Sequence, residues 1–244
     1  MKTSKVNQVG NFEQLVSFIN AQGAVYNPSK ASIKGAALQT LLTQSQGAMK
    51  AADVSRNAYD NAINARQQVM RSVPKLAGRI VAMLKACSAP PEVVEDCMSI
   101  TRRFYSQGSR SENRAPVPQS FAPDQPGDEK KEGRKLSYVD RESMIQQFER
   151  LVARAIAEPS YKPNEVDLQA ATLTAFIATL RDRNKTVKNA FVAFREATHA
   201  LDKVLYGANG IHGQAQAVKL YMRAVYGFRS QQHNEVSTLK FKKA

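Results

Sequence analysis

Cysteine is scarce in this chain: Cys87 and Cys97 are the only two. Two thiols are too few for a disulfide framework, and a metal site would need more ligands than they supply. Both are expected as small buried residues in a reducing compartment. Histidine is scarce as well. His199, His212 and His233 are the only three, and they do not cluster along the sequence. There is no His-Glu-x-x-His, no Gly-x-Ser-x-Gly and no phosphate-binding Gly-Lys-Ser/Thr, which removes the common hydrolase and nucleotide-binding signatures. Long apolar runs are also missing. No stretch approaches a membrane span. The opening "MKTSKVNQVGNF" has a basic start with no apolar run behind it, so no signal peptide is expected. Tryptophan is absent, β-branched runs are rare, and glycine and proline are few outside one region. Alanine, leucine, glutamine, lysine and arginine are common instead, which argues against a sheet and for helix.

Acidic residues are outnumbered. The 244 residues carry 35 Lys/Arg against 21 Asp/Glu, a net charge of +14. Residues 1–105 hold 13 cations and 6 acids, residues 106–143 hold 7 of each, and residues 144–244 hold 15 and 8. The excess is thus shared by two flanking regions. Such a balance fits a polyanionic partner or simply a well-solvated surface.

The middle of the chain breaks the pattern. Residues 106–140 contain four of the ten prolines, many Ser, Gln and Asp, and almost no periodic apolar residues. Low hydrophobicity with mixed charge predicts a flexible linker. Two units follow, residues 1–105 and 141–244, since a long structureless loop inside one compact domain is unusual. The units align with each other. Phe12, Leu15 and Val16 match Phe148, Leu151 and Val152; Tyr26 and Pro28 match Tyr161 and Pro163; Leu38, Ala58, Ala62 and Val69 match Leu173, Ala193, Ala197 and Val204. Their order, and an offset that changes only by a one-residue gap before Tyr26, predict an internal repeat. What recurs is an aromatic, a proline that stops one helix, and an apolar seam that opens the next. The second turn carries Glu165 and Asp167 where the first has Lys30 and Lys34 nearby.

In the second unit, Ile145, Phe148, Leu151, Val152 and Ala155 lie on one helical face. Asn164 or Asp167 is expected to cap the next helix. From there to Leu205 neither glycine nor proline occurs. Positions 173, 177, 180, 184, 187, 191, 194, 198, 201 and 205 alternate by three and four, a heptad seam. An unbroken helix here would run about 60 Å at ~1.5 Å per residue. The alternative is two helices with a turn at "RDRNK", 181–185, and Gly47 in the matching region of the first unit keeps it open. "YGANGIHG" is read as a helix stop. A last helix would bury Ile211, Ala215, Val218, Tyr221, Val225 and Phe228, with Lys219 and Arg223 off that face. Leu239 and Phe241 are docking points for the tail. In the first unit, Pro74 suits a first helical turn and Pro90-Pro91 forces a break between two short helices.

"SVPKLAGRIVAMLKACSAPPEVVEDCMSITRRF", "EPSYKPNEVDLQAATL" and "LYGANGI" followed by "VKLYMRAVYGFRS" and "LKF" together give nearly the whole chain outside the linker. In these stretches it resembles an uncharacterised family of duplicated helical-bundle proteins from Bacteroidetes-type bacteria. The resemblance implies a helical duplicated fold and offers no catalytic residues to carry over. Two departures stand out: Ile211-His212-Gly213 where the family has an acidic residue, and Tyr226-Gly227-Phe228 where it has Phe-Gly.

Three constellations bear on chemistry. Glu196-Ala-Thr-His199 has the Glu-x-x-His spacing of carboxylate-bridged di-iron bundles. Such a site needs the motif twice, and the matching stretch Asn61-Ala-Ile-Asn64 holds no ligand. "GANGIHG" lacks the basic residue of a phosphate loop. "ITRRFYSQGSR", "MRAVYGFRS" and "LKFKK" interleave cations with aromatics, which suits phosphate contact and base stacking. The same pattern arises when Phe104, Tyr221 and Phe228 are core and the cations face solvent near helix C-termini.

The expected fold class is all-α: two related helical units, each with a long heptad-patterned helix flanked by short helices, forming an elongated bundle, with two four-helix bundles as the alternative. The expected function is non-enzymatic binding or scaffolding, with another protein as partner. The alternative is a nucleic-acid or polyanion-binding protein acting through Arg102, Arg103, Arg110, Arg223, Arg229, Lys240, Lys242 and Lys243. A metal-dependent helical-bundle enzyme is a third reading. No cofactor and no membrane partner are expected, and the expected location is the cytoplasm.

Overall fold

The computed structural model describes residues 5–108 and 138–241. Every regular element among them is helical. In chain order they are α1 (Lys5–Ala21), α2 (Gly35–Met70), α3 (Val73–Ala86), α4 (Pro91–Gly108), α5 (Tyr138–Ile156), α6 (Ala170–Tyr206), α7 (Ile211–Tyr226) and α8 (Gln231–Ser237). Short 3₁₀ turns lie at Gly23–Val25, Ala31–Ile33 and Val166–Leu168. The fold is an all-α helical bundle. Most of the expected linker lies outside the described residues, but helix occupies both of its margins, up to Gly108 and from Tyr138.

Both long helices are continuous. α2 passes through Gly47 without a break, and α6 passes through "RDRNK". The second stretch stays helical because neighbours hold it. The Arg181 guanidinium donates to both Glu149 carboxylate oxygens on α5. Asn184 is buried in the seam and hydrogen-bonded on both sides of its amide. The glycine stretch after α6 is a stop for steric reasons. A Cβ on Gly207 would sit 2.4 Å from the Lys203 carbonyl oxygen, and one on Gly210 would sit 2.7 Å from that of Val204.

The two Tyr-x-Pro turns have matching geometry. The Tyr26 hydroxyl donates to the Ile33 carbonyl at 2.6 Å, and the Tyr161 hydroxyl to the Leu168 carbonyl at 3.0 Å. Each bond closes over a 3₁₀ turn whose flanking residues share their backbone angles. Lys34 has φ −66°, ψ 148° and Gln169 has φ −66°, ψ 147°. The expected caps take a different form. Neither Asn164 nor Asp167 directly precedes α6, because the 3₁₀ turn intervenes. Asp167 instead accepts from Arg79 at 3.1 Å.

The structure divides into two compact units, and their boundaries differ from those of the sequence units. One comprises residues 1–61 with 189–244, the other residues 62–188. Each cuts both long helices, so each core combines the start of one half of the chain with the end of the other. In the first unit, Phe12, Leu15 and Leu38 pack with Leu205, Ala215 and Met222. In the second, Ile80, Leu84 and Phe104 pack with Phe148, Leu151 and Leu173. Phe12 meets Phe241 edge-on at 6.5 Å, and Phe148 meets Phe104 edge-on at 6.4 Å. The short tail after α8 thus does for the first unit what the far end of α4 does for the second. Leu239 and Phe241 are buried, as docking points should be.

Candidate functional site

The apolar stripe of α7 ends earlier than its spacing predicts. Ile211, Ala215 and Val218 are buried, and Tyr221 is half-buried with its ring 5.2 Å from Tyr26. Val225 and Phe228 were expected on the same face, but both are exposed, and Met222 takes the inner position. The reason is the end of the helix. Gly227 caps α7 at φ 86°, ψ 161°, a region open essentially to glycine alone, and its N–H donates to the Arg223 carbonyl. The chain leaves the helix there, carrying Phe228 outward.

The following turn is closely held. Arg229 is left-handed at φ 68°. The Ser230 hydroxyl donates to the Gly227 carbonyl at 3.1 Å and accepts from the His233 N–H at 3.1 Å, capping α8. The Asn234 side-chain amide donates to the Arg229 carbonyl. Phe228, 64% exposed, is displayed by this frame. The Arg223 guanidinium carbon lies 5.0 Å from its ring centre, that of Arg229 5.5 Å away, and the His233 ring 5.9 Å away. Among the described residues no carboxylate forms an ion pair with Arg223 or Arg229. Two guanidiniums and an open aromatic ring can neutralise phosphate and stack a flat group.

A second exposed aromatic lies on α6 in the same unit. Phe191 is 41% exposed, with Arg195 at 5.8 Å and Tyr59 at 5.5 Å from its ring. Tyr59 also stacks on Phe194 with the ring planes 4° apart. Phe191 and Phe194 are seam positions, but the seam, buried from Leu180 to Val187 and again from Leu201, is exposed at Phe191 and half-buried at Phe194 and Thr198.

The other expected contact residues divide between the units. Arg102 and Arg103 are exposed on α4 in the second unit, and the neighbouring Phe104 is core, edge-on to Phe148. Lys240 is exposed in the first unit, and its carbonyl accepts from Asn11 at 2.9 Å. Arg110, Lys242 and Lys243 lie outside the described residues. Glu196 and His199 are both exposed on α6, and no group of three potential metal ligands occurs among the described residues. Cys97 is buried and Cys87 partly so, both as free thiols. Burial chiefly raises the Cys97 pKa, opposed by Arg154 and helped by Asp96.

Two features escaped the sequence reading. Lys219 is expected merely to lie off the apolar face of α7. It pins the tail, donating to the Leu239 and Ser237 carbonyls, with Phe241 5.4 Å away. Burial lowers its pKa. In the second unit, Arg66 donates to the Asn184 side-chain oxygen at 3.0 Å, and Asn184 donates to Glu142, which also pairs with Lys188 at 3.5 Å. An asparagine in an otherwise apolar seam was the available signal; its arginine partner was not readable from spacing.

The class these observations define is an all-α bundle of two compact units, each built from both halves of the chain, with an exposed cation–aromatic turn on one. Comparison with protein-family models, curated proteins and solved structures found no match for the chain. No helix among the described residues is long and apolar enough to cross a membrane.

Proposed function

We propose that the protein is a non-enzymatic, cytoplasmic helical binding protein whose ligand is a single-stranded nucleic acid, contacted at Arg223, Phe228 and Arg229. The observation that carries this reading is the exposed Phe228 ring beside two guanidiniums that form no ion pair with a carboxylate among the described residues. Charge supports it. The first compact unit holds 14 Lys/Arg against 6 Asp/Glu, whereas the second holds 21 against 15. We also propose that the two halves of the chain are an internal repeat, supported by the two matching Tyr-x-Pro turns.

Fluorescence anisotropy with labelled oligo-dT and oligo-rU, at low and moderate salt, tests the ligand. Affinity should fall steeply as salt rises, through counterion release. Phe228→Ala should weaken binding by about 5- to 150-fold, the range of ~1–3 kcal/mol for one stacked base. Converting Arg223 and Arg229 to Gln should flatten the salt slope by about 0.7 for each phosphate that is no longer neutralised. No binding at low salt would remove this reading.

A second reading, a scaffold for another protein, is favoured by the exposed stretch of α6 at Phe191, a seam position, and the adjacent Val192. Its test is a pull-down comparing the native chain with Phe191→Asp/Val192→Asp. A partner captured equally by both would not be using this face.

A further inference from the structure

We infer that the two halves of the chain are each other's binding partner: residues 5–108 and 138–241 form a 1:1 complex that does not need the peptide link between them. Neither half contains a complete core. The first unit's core draws ten of its described buried residues from the N-terminal half and nine from the C-terminal half, and the second unit's core divides the same way. The shared surface is not a flat face but two separate cores, so removing the partner would open both.

Helix packing shows the same reciprocity. α1 lies on α7, while α5 lies on α3 and α4. Each half opens with a helix that rests on the closing helices of the other. Polar contacts then fix which half is accepted. In the first unit the Gln8 amide donates to the Tyr206 hydroxyl at 2.7 Å, Lys5 pairs with Asp202 at 2.6 Å, and the Tyr226 hydroxyl donates to Gln22 at 3.2 Å. In the second, Arg66 meets Asn184, and Arg154 pairs with Asp96 at 3.5 Å. Of these groups Gln8, Arg66 and Asn184 are buried, and buried polar groups penalise a wrong partner more than they strengthen the right one; the two ion pairs are exposed and add little. The second unit's polar set has no counterpart in the first: Met49 and Leu201 align with Asn184 and Arg66. Two N-terminal halves together would therefore place Met49 opposite Arg66, and two C-terminal halves would place Asn184 opposite Leu201. The partner this surface fits is the other half, not a second copy of the same half.

A site-specific protease sequence inserted between residues 108 and 138 of the full chain tests this. The folded protein is cleaved, and a denaturing gel establishes that the cut is complete. The cut protein should keep the mass and elution volume of the intact chain, with unchanged helicity. After denaturation, its refolding rate should rise with protein concentration, while that of the intact chain should not. Two folded fragments that separate on the column would overturn the inference. Aggregation on cutting, homodimers of either half, or refolding independent of concentration would overturn it equally.

Discussion

The two compact units are built on one frame but use their polar residues differently. Each has a Tyr-x-Pro turn closed by the same hydrogen bond and an edge-on phenylalanine pair at nearly the same distance. In the second unit four cations have acidic partners: Arg79 with Asp167, Arg154 with Asp96, Arg181 with Glu149 and Lys188 with Glu142. In the first, Lys5 and Arg56 have acidic partners, while Arg195, Arg223 and Arg229 lie beside aromatic rings. The frame constrains what faces the cores, and leaves the surface free to differ. Three of the first unit's arginines, Arg195, Arg223 and Arg229, thus lie against rings, and among the described residues only Arg56 pairs with a carboxylate.

The sharpest way to break the match between the cores is at its largest side chains. Phe12 and Phe148 are both fully buried. Phe12→Ala and Phe148→Ala should each cost about 3–5 kcal/mol in denaturant unfolding, from the forfeited transfer energy and the cavity left behind. A severe loss at one and a mild loss at the other would show that the two cores are not equivalent.

The next effect isolates the difference itself. Asn184→Leu should cost about 1.5–3 kcal/mol, because it removes a buried acceptor from a charged donor. Converting Arg66 to Leu and Asn184 to Met together copies the pairing aligned in the first unit, and should recover most of that loss. Failure to recover would mean that Glu142 and Lys188 need the polar pair more than the fold does.

The tyrosine turns give a smaller, pH-dependent comparison. Burial, followed by the neighbouring Cys87, raises the Tyr161 pKa to about 12, with Arg79 opposing and Glu165 adding to the shift. Burial and then Tyr221 raise that of Tyr26 as well. In both, the folded protein favours the neutral phenol. Their contribution is therefore fully present below the unfolded value near 10 and is lost as pH rises through the folded value. Tyr161→Phe should cost about 1 kcal/mol at neutral pH, and should flatten part of the alkaline loss seen in urea titrations between those two values. An unchanged alkaline profile would assign the loss elsewhere.

Much of this fold was legible because helices write their buried faces into the sequence. Ile145, Phe148, Leu151, Val152 and Ala155 are all buried, as their spacing predicts. The aligned turns also fall where the Tyr-x-Pro pattern puts them. Periodicity carries no information on which helix covers a face, so the cross-pairing of halves was hidden. It also does not mark where a helix ends. Phe228 fits the stripe of α7 by spacing, but Gly227 turns the chain just before it and leaves it exposed. The candidate site was legible only as a mixture of cations and aromatics. Choosing Phe228 over Phe104 required knowing which ring the fold leaves open.

The smallest expected effect concerns the two long helices. Gly47 in α2 and Asp182 in α6 occupy aligned positions, and the sequence left a turn possible at both. In α6 the adjacent Arg181 anchors to Glu149. α2 has a glycine at this point, and helix interiors disfavour glycine by roughly 0.5–1 kcal/mol relative to alanine, through backbone entropy in the unfolded chain. A Cβ built on Gly47 meets nothing within 4 Å, so alanine adds no clash and buries no polar group. Gly47→Ala should therefore stabilise the protein by about 0.5–1 kcal/mol, read as a higher denaturant midpoint at unchanged slope. A loss of stability instead would mean that α2 needs the freedom of glycine at this position, and that the helix is less uniform through Gly47 than α6 is through Asp182.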